Sequence, residues 1–576
     1  MAVDKKQRDR YAVGTVLVLL VVVITANLVA ELRFWRLDLT AEQRYSLSAP
    51  FHNILNRLED PLKITYYSSE VVPAQFEFGK RAMLDKLREI ETAAGGKILL
   101  EIKDPTKDTS LREKLHKESE LFEVTVQSVE RDQRVRTTFY SGFHLLYQEK
   151  DAVPLQRVFD PDELEYLLGS RILTLTLKEK PLIAIHIPKS RRKQSPNPML
   201  QNQGSFEWFA EAPFLDEKFE KKVIEFAPGG GIPANTKLLI CVRPKDLSEQ
   251  GQCEVAKFLA QGGRALFLAS PWEIDFDFRK VTPLRSGLED YFKDLGVAWV
   301  SALVLDESSV ALPGTKIERG SVKPHPVYVK IQPQGLSQEN PVTRFLPGLV
   351  MPYTSAFILD EDKAKAAGLD IEVLARTSKR TWTVPLPAFL DLVASMEKPT
   401  RFDNPRPVLV QLQGQFPCAW EGKPEPGWPD ETGKPKPLPS HAKPLVLNKL
   451  PGTVFLYSCP ESFHQFFLET NDPMVQQQFV GNGHLLLNVV ETAALGDDLL
   501  AMRTKTNPTR AIHKFEGEGE DRKRNLIKAG MIALIPGFVV LFALCYWWWR
   551  RGTQMDYERE FSTTIGPSSF TPERSE

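Results

Sequence analysis

Apolar residues gather in two long uncharged runs toward the ends of the chain and in short, regularly interrupted runs between them. Residues 11–30, YAVGTVLVLLVVVITANLVA, carry no charge, and at about 1.5 Å per residue a helix of this length crosses a hydrocarbon core of about 30 Å. A cleaved leader would have an apolar region of only about 7 to 15 residues, so an uncleaved anchor is the expectation. Residues 529–549, AGMIALIPGFVVLFALCYWWW, give a second candidate span, closed by interface-seeking aromatics and then Arg550 and Arg551. Lys5, Lys6, Arg8 and Arg10 outnumber Asp4 and Asp9 ahead of the first run, which places the N-terminus in the cytoplasm and residues 31–528 outside it. The basic stretch RKRNLIK before the second run opposes that rule locally, but long translocated domains cross largely regardless of charge. The expected location is the inner (plasma) membrane, two-pass, with the large domain extracytoplasmic.

Between the runs, Phe34 and Trp35 beside Arg33 and Arg36 suit a headgroup layer, and Thr40 with Gln43 reads as a capping box. Ser48 is an N-cap with Pro50 in the first turn, and Phe51, Ile54, Leu55 and Leu58 recur at helical spacing. LKITYYSS, AMLDKLREIETAA closed by Gly95 and Gly96, and KILLEIKDP predict a strand, helix, strand unit of a thioredoxin-like layer. TTFYSGFHLLYQ and AVPLQRVF add strands, and Asp160 caps PDELEYLLGSRILTLTL, an amphipathic connecting helix with Pro161 at its first position. A second alternation follows: strand PLIAIHI, helix near 206–219, strands KVIEFA and KLLICV, helix CEVAKFLAQ, strand ALFLAS, helix GLEDYFKDLG and strand WVSALVLD. Such alternation predicts a largely parallel, doubly wound sheet.

The chain thus divides into a cytoplasmic N-terminus (1–10), a transmembrane helix (11–30) and an external thioredoxin-like α/β unit (31–178). An external doubly wound, flavodoxin/amidotransferase-like open-sheet domain (179–414) follows, then a Pro-rich loop or linker (415–444). C-terminal elements complete the external core (445–528), and a second transmembrane helix (529–549) leads to a cytoplasmic tail (550–576). The fold class is α/β.

With 576 residues and 42% apolar content the chain can bury several cores, and 73 basic against 74 acidic residues leave no global field for nucleic acid. Cys241, Cys253, Cys418, Cys459 and Cys545 form no CxxC pair and no zinc spacing, which excludes thioredoxin chemistry in the first unit. Cys241 and Cys253 would bridge only if the fold brought them together; buried thiols are the simpler reading. GWPDETGKP fails as a phosphate loop, with one residue too many between its glycines and Pro435 in place of Ser or Thr. Gly229, Gly230 and Gly231 precede Pro233 rather than a helix, so they read as a loop.

Cys241, at the end of KLLICV, is the one candidate nucleophile of an amidotransferase-like site, but ICVRP lacks the small residues of a strained elbow. His144, His186 and His464 sit among apolar residues and read as core or surface imidazoles. Asp360, Glu361 and Asp362 read as a solvated turn or a cap for the following helix, and SRRKQS at 190–195 as a solvated loop or a contact for acidic headgroups or a partner. No catalytic, cofactor or metal residue is assigned.

RLDLTAEQRYSLS, FDPDELEYLLGSRILTLTLKEKP, IPANTKLLICVRPKDLSEQ, FLAQGGRALFLASP, GLEDYFKDLGV, LVLDESS, MPYTSAFILDEDKAKAAGLDIEVLARTSKRTW and NGHLLLNVVETAALGDDLLAMRTKT together resemble the GldG-like family, the auxiliary component of gliding-motility-type ABC transporters. The resemblance is collinear over about 36–551 and departs at 417–444. It implies a non-catalytic, membrane-tethered extracytoplasmic subunit, without cofactor, partnered by an ABC permease, a cytoplasmic ATPase and the lipid bilayer. Assembly with further copies of the chain stays open. The alternatives are a membrane-anchored amidotransferase-like or hydrolase enzyme and a structural envelope protein.

Overall fold

The computed structural model describes residues 46–118, 121–130, 133–151, 154–187, 206–276, 280–311, 317–318, 321–322, 324–386, 399–429, 443–468, 473–496 and 498–505, with scattered residues of 18–25 and 528–551. The chain falls into two units, 1–508 and 509–576. In the second unit residues 540–548 are helical, and Phe542 and Trp548 among them are exposed. Among the described residues no helix is long and apolar enough to cross a membrane; most of 11–30 and 529–549, and all of 31–45 and 190–195, lie outside them.

The first unit opens with helix α1, Ala49–Asn56, whose Ser48 hydroxyl accepts a hydrogen bond from Phe51 N at 3.3 Å. Its buried Phe51, Ile54 and Leu55 each gain about 1.5–3 kcal/mol from leaving water. Strand β1 (Leu62–Ser68), helix α2 (Ala74–Ala93) and strand β2 (Ile98–Lys103) follow, with Gly95 at φ 57° and Gly96 at φ 89° turning the chain after α2. Helix α3 (Thr109–Glu118) leads to a hairpin, β3 (Val124–Glu130) and β4 (Gln133–Phe139), then β5 (Ser141–Tyr147), β6 (Lys150–Asp151) and β7 (Leu155–Gln156). The sheet order is β2-β1-β5-β6, with β7 also on β5; β1 runs parallel to β2 and antiparallel to β5. TTFYSGFHLLYQ is therefore two strands in two sheets, since β4 pairs with β3 and β5 with β1.

Helix α4 (Leu164–Thr176) starts later than expected. Asp160 accepts from the backbone N–H of Asp162 at 2.8 Å, closing a turn that postpones the helix to Leu164. Nor is α4 amphipathic: Glu165, Gly169 and Ser170 are buried along with Leu164, Leu168, Ile172, Leu173 and Leu175, because it is packed from several sides.

Next come β8 (Leu182–His186), β9 (Glu220–Val223), β10 (Thr236–Val242), helix α5 (Glu249–Ala260) and β11 (Arg264–Leu268). Ser248 caps α5, accepting from Gly251 N at 3.3 Å, and Asp246 just before it takes a positive φ of 46°. Three later strands, β12 (Leu369–Arg376), β13 (Pro407–Gly414) and β14 (Gly452–Tyr457), complete a seven-stranded sheet among the described residues, ordered β12-β13-β14-β11-β10-β8-β9. The five strands from β14 to β9 are parallel, and β13 is antiparallel to β14. WVSALVLD does not enter this sheet. It breaks into Val297–Trp299, paired with Phe357–Leu359, and Ala302–Asp306, paired with Thr381–Pro385. The fifth parallel strand is β14, delivered from beyond the Pro-rich segment.

Both faces of the seven-stranded sheet are buried. One lies under α5; the other lies under helix α6 (Pro473–Leu495), whose Leu485, Leu486, Val489 and Val490 join Ile183, Leu238, Ile240 and Phe455. A Cβ on Gly481 of α6 would stand 1.9 Å from the Gly348 carbonyl oxygen, so only glycine permits that approach. Helix α7 (Asp498–Lys505) then returns to the first core, where Leu499 and Met502 pack with Phe51 and Leu168. Arg57 and Asp498 pair at 3.0 Å. The described body thus begins and ends in one cluster of α1, α4 and α7.

Candidate functional site

Open α/β sheets take ligands outside the carboxyl ends of their parallel strands, which directs attention to the residues after β10 and β14. Arg243 follows β10 directly, at φ 44°, a left-handed conformation costly for a non-glycine residue. Its N–H reaches Leu268 O at 2.8 Å and its Nη2 donates to Glu461 Oε1 at 2.6 Å. The guanidinium also lies over the Phe206 ring, 4.8 Å from its centroid. Arg243 and Glu461 are both buried. Glu461 Oε2 and Arg243 Nε find no hydrogen-bond partner among the described residues, so one charge-assisted bond joins the two side chains. Burial raises the Glu461 carboxyl above its ordinary value, against the opposing pull of Arg243.

Beside this pair the end of β14 is knitted to the MPYTS stretch. Ser458 Oγ donates to Ser355 O at 3.0 Å and lies 3.1 Å from Thr354 Oγ1; Ser462 Oγ donates to Val350 O at 2.9 Å. Asn482 on α6 accepts from Val350 N and donates to Val350 O, each at 3.0 Å, and donates to Tyr457 OH at 3.1 Å. These polar side chains are buried and satisfied by one another. The described part of this sheet edge is therefore closed by the protein's own residues. The buried ion pair and polar lattice fix the edge; they offer no exposed nucleophile.

The sequence candidates fall in separate places. Cys241 is fully buried within β10, where burial pushes its thiol up and leaves it inert. Burial, with Arg243 nearby, holds His464 down to about 3, so its ring is a neutral packing element against Phe206 and Phe276. His186 lies 3.3 Å from Ile224 O through Nδ1, and burial lowers it too. His144 is half-buried on β5, opposite Thr65. Asp360 caps the helix Glu361–Ala366 by accepting from Lys363 N at 3.1 Å. Gly229, Gly230 and Gly231 form a turn before Ile232. Among the described residues no group of three or more His, Cys, Asp or Glu is placed to hold a metal.

Two features escaped the sequence reading. A second buried charge system ties α4 to α6: Lys218 Nζ donates to Glu491 Oε1 at 2.6 Å and to Tyr166 OH at 3.2 Å, and Tyr166 OH donates to Glu491 at 2.8 Å. Arg171 and Glu217 pair alongside it. The other is a surface depression in the first unit, lined in part by Ser68, Phe76, Lys80, Phe139, Tyr140 and Phe159. Lys80 Nζ donates there to Ser69 O and Glu70 O at 2.6 and 2.8 Å, steadying the loop between β1 and α2.

These elements define a mixed α/β protein of several sheets. A family model described as an ABC-type uncharacterized transport system matches residues 197–446, and a model of a domain of unknown function matches 41–145. Over 197–446 the chain is thus similar to an auxiliary family of ABC transport systems. An uncharacterized protein of Borreliella burgdorferi is 20% identical over 387 residues, covering 66% of this chain and 72% of its own. Among solved structures, the mmIFT52 N-terminal domain is 11% identical at TM-score 0.27, covering 53% of this chain and 97% of its own. A ThuA-like protein from Bacteroides uniformis is 12% identical at TM-score 0.29, covering 56% and 98%. Neither TM-score defines a shared fold.

Proposed function

We propose that the chain is a GldG-like, membrane-anchored extracytoplasmic auxiliary subunit of an ABC-type transport system, working with a separate permease and a cytoplasmic ATPase. The match of 197–446 to the transport-system family carries this reading. The convergence of α1, α4 and α7 supports tethering at both ends, since the chain enters and leaves the body at one cluster. The order β2-β1-β5-β6 supports a thioredoxin-like layer, and β9-β8-β10-β11-β14 supports a flavodoxin-like order of 2-1-3-4-5. In the first sheet the loop after β1 holds serines, Ser68 and Ser69, in place of a dithiol, which favours binding over redox chemistry. Isolation of the tagged full chain in mild detergent tests the proposal. Recovery with a multispan permease and an ATPase is the expected result; a chain that emerges alone, or hydrolyses ATP unaided, overturns it.

A further inference from the structure

The cysteine that faces Cys253 is Cys418, not Cys241. Cys253 lies on α5 in the same stripe as Ala256 and Ala260, three and seven residues on. Cys418 packs against those two alanines, with Tyr291, Trp420, Leu445 and Leu447 around it. The Cys253 and Cys418 thiols interact with each other electrostatically, and both cysteines are free. Cys418 belongs to the described part of the Pro-rich segment, which forms a packed arm across α5. Lys257 pairs with Glu425 at 2.9 Å, Tyr291 OH donates to Pro417 O at 3.3 Å, and Leu450 N donates to Ala260 O at 3.1 Å.

We propose that Cys253 and Cys418 are a redox pair whose disulfide staples the Pro-rich arm to α5. The oxidant is a small or protein disulfide, R–S–S–R. The Cys418 thiolate attacks it and releases one R–S⁻; Cys253 then attacks the Cys418 sulfur, gives its proton to the second departing thiolate, and closes the bridge. Two cysteine thiols are oxidised and one external disulfide is reduced to two thiols. Cys418 is suited to the first attack. It retains 8% exposure, whereas Cys253 on α5 retains 1%, so an external disulfide reaches Cys418 first. Cys241 and Cys459 are fully buried with raised thiols and stand apart from this exchange.

The purified full chain in detergent is equilibrated with an oxidised and reduced glutathione mixture, alkylated under denaturing conditions, and mapped by peptide mass. A Cys253–Cys418 linked peptide is expected, with chymotryptic cleavage in the arm after Trp420 slowed about tenfold, because a bridge that pins the arm to α5 suppresses the local opening a protease needs. Cys253→Ser or Cys418→Ser removes both effects, and Cys241→Ser removes neither. Alkylation of both Cys253 and Cys418 after full oxidation, or a link from Cys253 to Cys241, overturns the proposal. Because the purified chain is used, the outcome is independent of partners and of where the domain resides.

Discussion

The two large sheets share one chain but finish their edges in opposite ways. In the seven-stranded sheet the carboxyl ends of β10 and β14 are closed by Arg243, Glu461 and a lattice of serines and threonines, and both faces are covered. In the first sheet, β2 is an edge strand with Leu99 and Ile102 exposed, and a depression opens beside Lys80 and Tyr140. Sealing trades a ligand crevice for rigidity, while an open edge keeps backbone groups available for a partner. Among the described residues the carboxyl ends of β10 and β14 are therefore filled by the protein's own side chains, whereas the first sheet keeps a depression near its strands.

The strongest way to break this contrast is Glu461→Ala. If the edge is sealed, Arg243 loses its partner while buried, and urea unfolding should show a loss of about 3–5 kcal/mol. A loss under about 1 kcal/mol would mean that water reaches the pair and the edge is open. Gly169→Ala probes the other side. A Cβ there meets Met502 Cε at 2.8 Å, so the Met502 side chain must repack between α4 and α7 at a cost of about 1 kcal/mol or more. Hydrogen exchange should rise in 49–56 and 498–505 and stay unchanged in β10 and β11. Equal loosening of both sheets would erase the distinction between them.

The third test is acid sensitivity. His464 is held down to about 3 when folded, whereas an unfolded histidine titrates near 6.5. The unfolded chain therefore binds the proton more readily: the contribution is intact above about pH 6.5 and falls by about 1.4 kcal/mol per unit as pH drops toward about 3. His464→Gln should remove one proton's worth of that slope in unfolding measured against pH; an unchanged slope would place His464 in contact with water.

Much of the architecture was legible wherever local chemistry decides. Ser48 caps α1, Gly95 and Gly96 turn the chain after α2, and β8, β10 and β11 coincide with short apolar runs. WVSALVLD misled because its β-branched and apolar residues suit any strand, and the choice of partner lies in distant segments. Asp160 looked like a cap, but its short side chain was taken by a turn. The sealed edge could not be read at all. Arg243 and Glu461 are 218 positions apart, and no periodicity relates them. MPYTS stood out as a phrase of the family resemblance, although its structural purpose, a mesh with β14 and α6, needed coordinates.

The return of α7 has a consequence for how the protein is made. Leu499 and Met502 are among the residues that fill the core begun by Phe51 and Leu168, so the earliest-synthesised unit stays unfinished until nearly the last of the body has left the ribosome. A product terminated anywhere before Leu499 carries an uncovered apolar trough at its beginning, a mark by which chaperones and proteases can tell incomplete chains from complete ones.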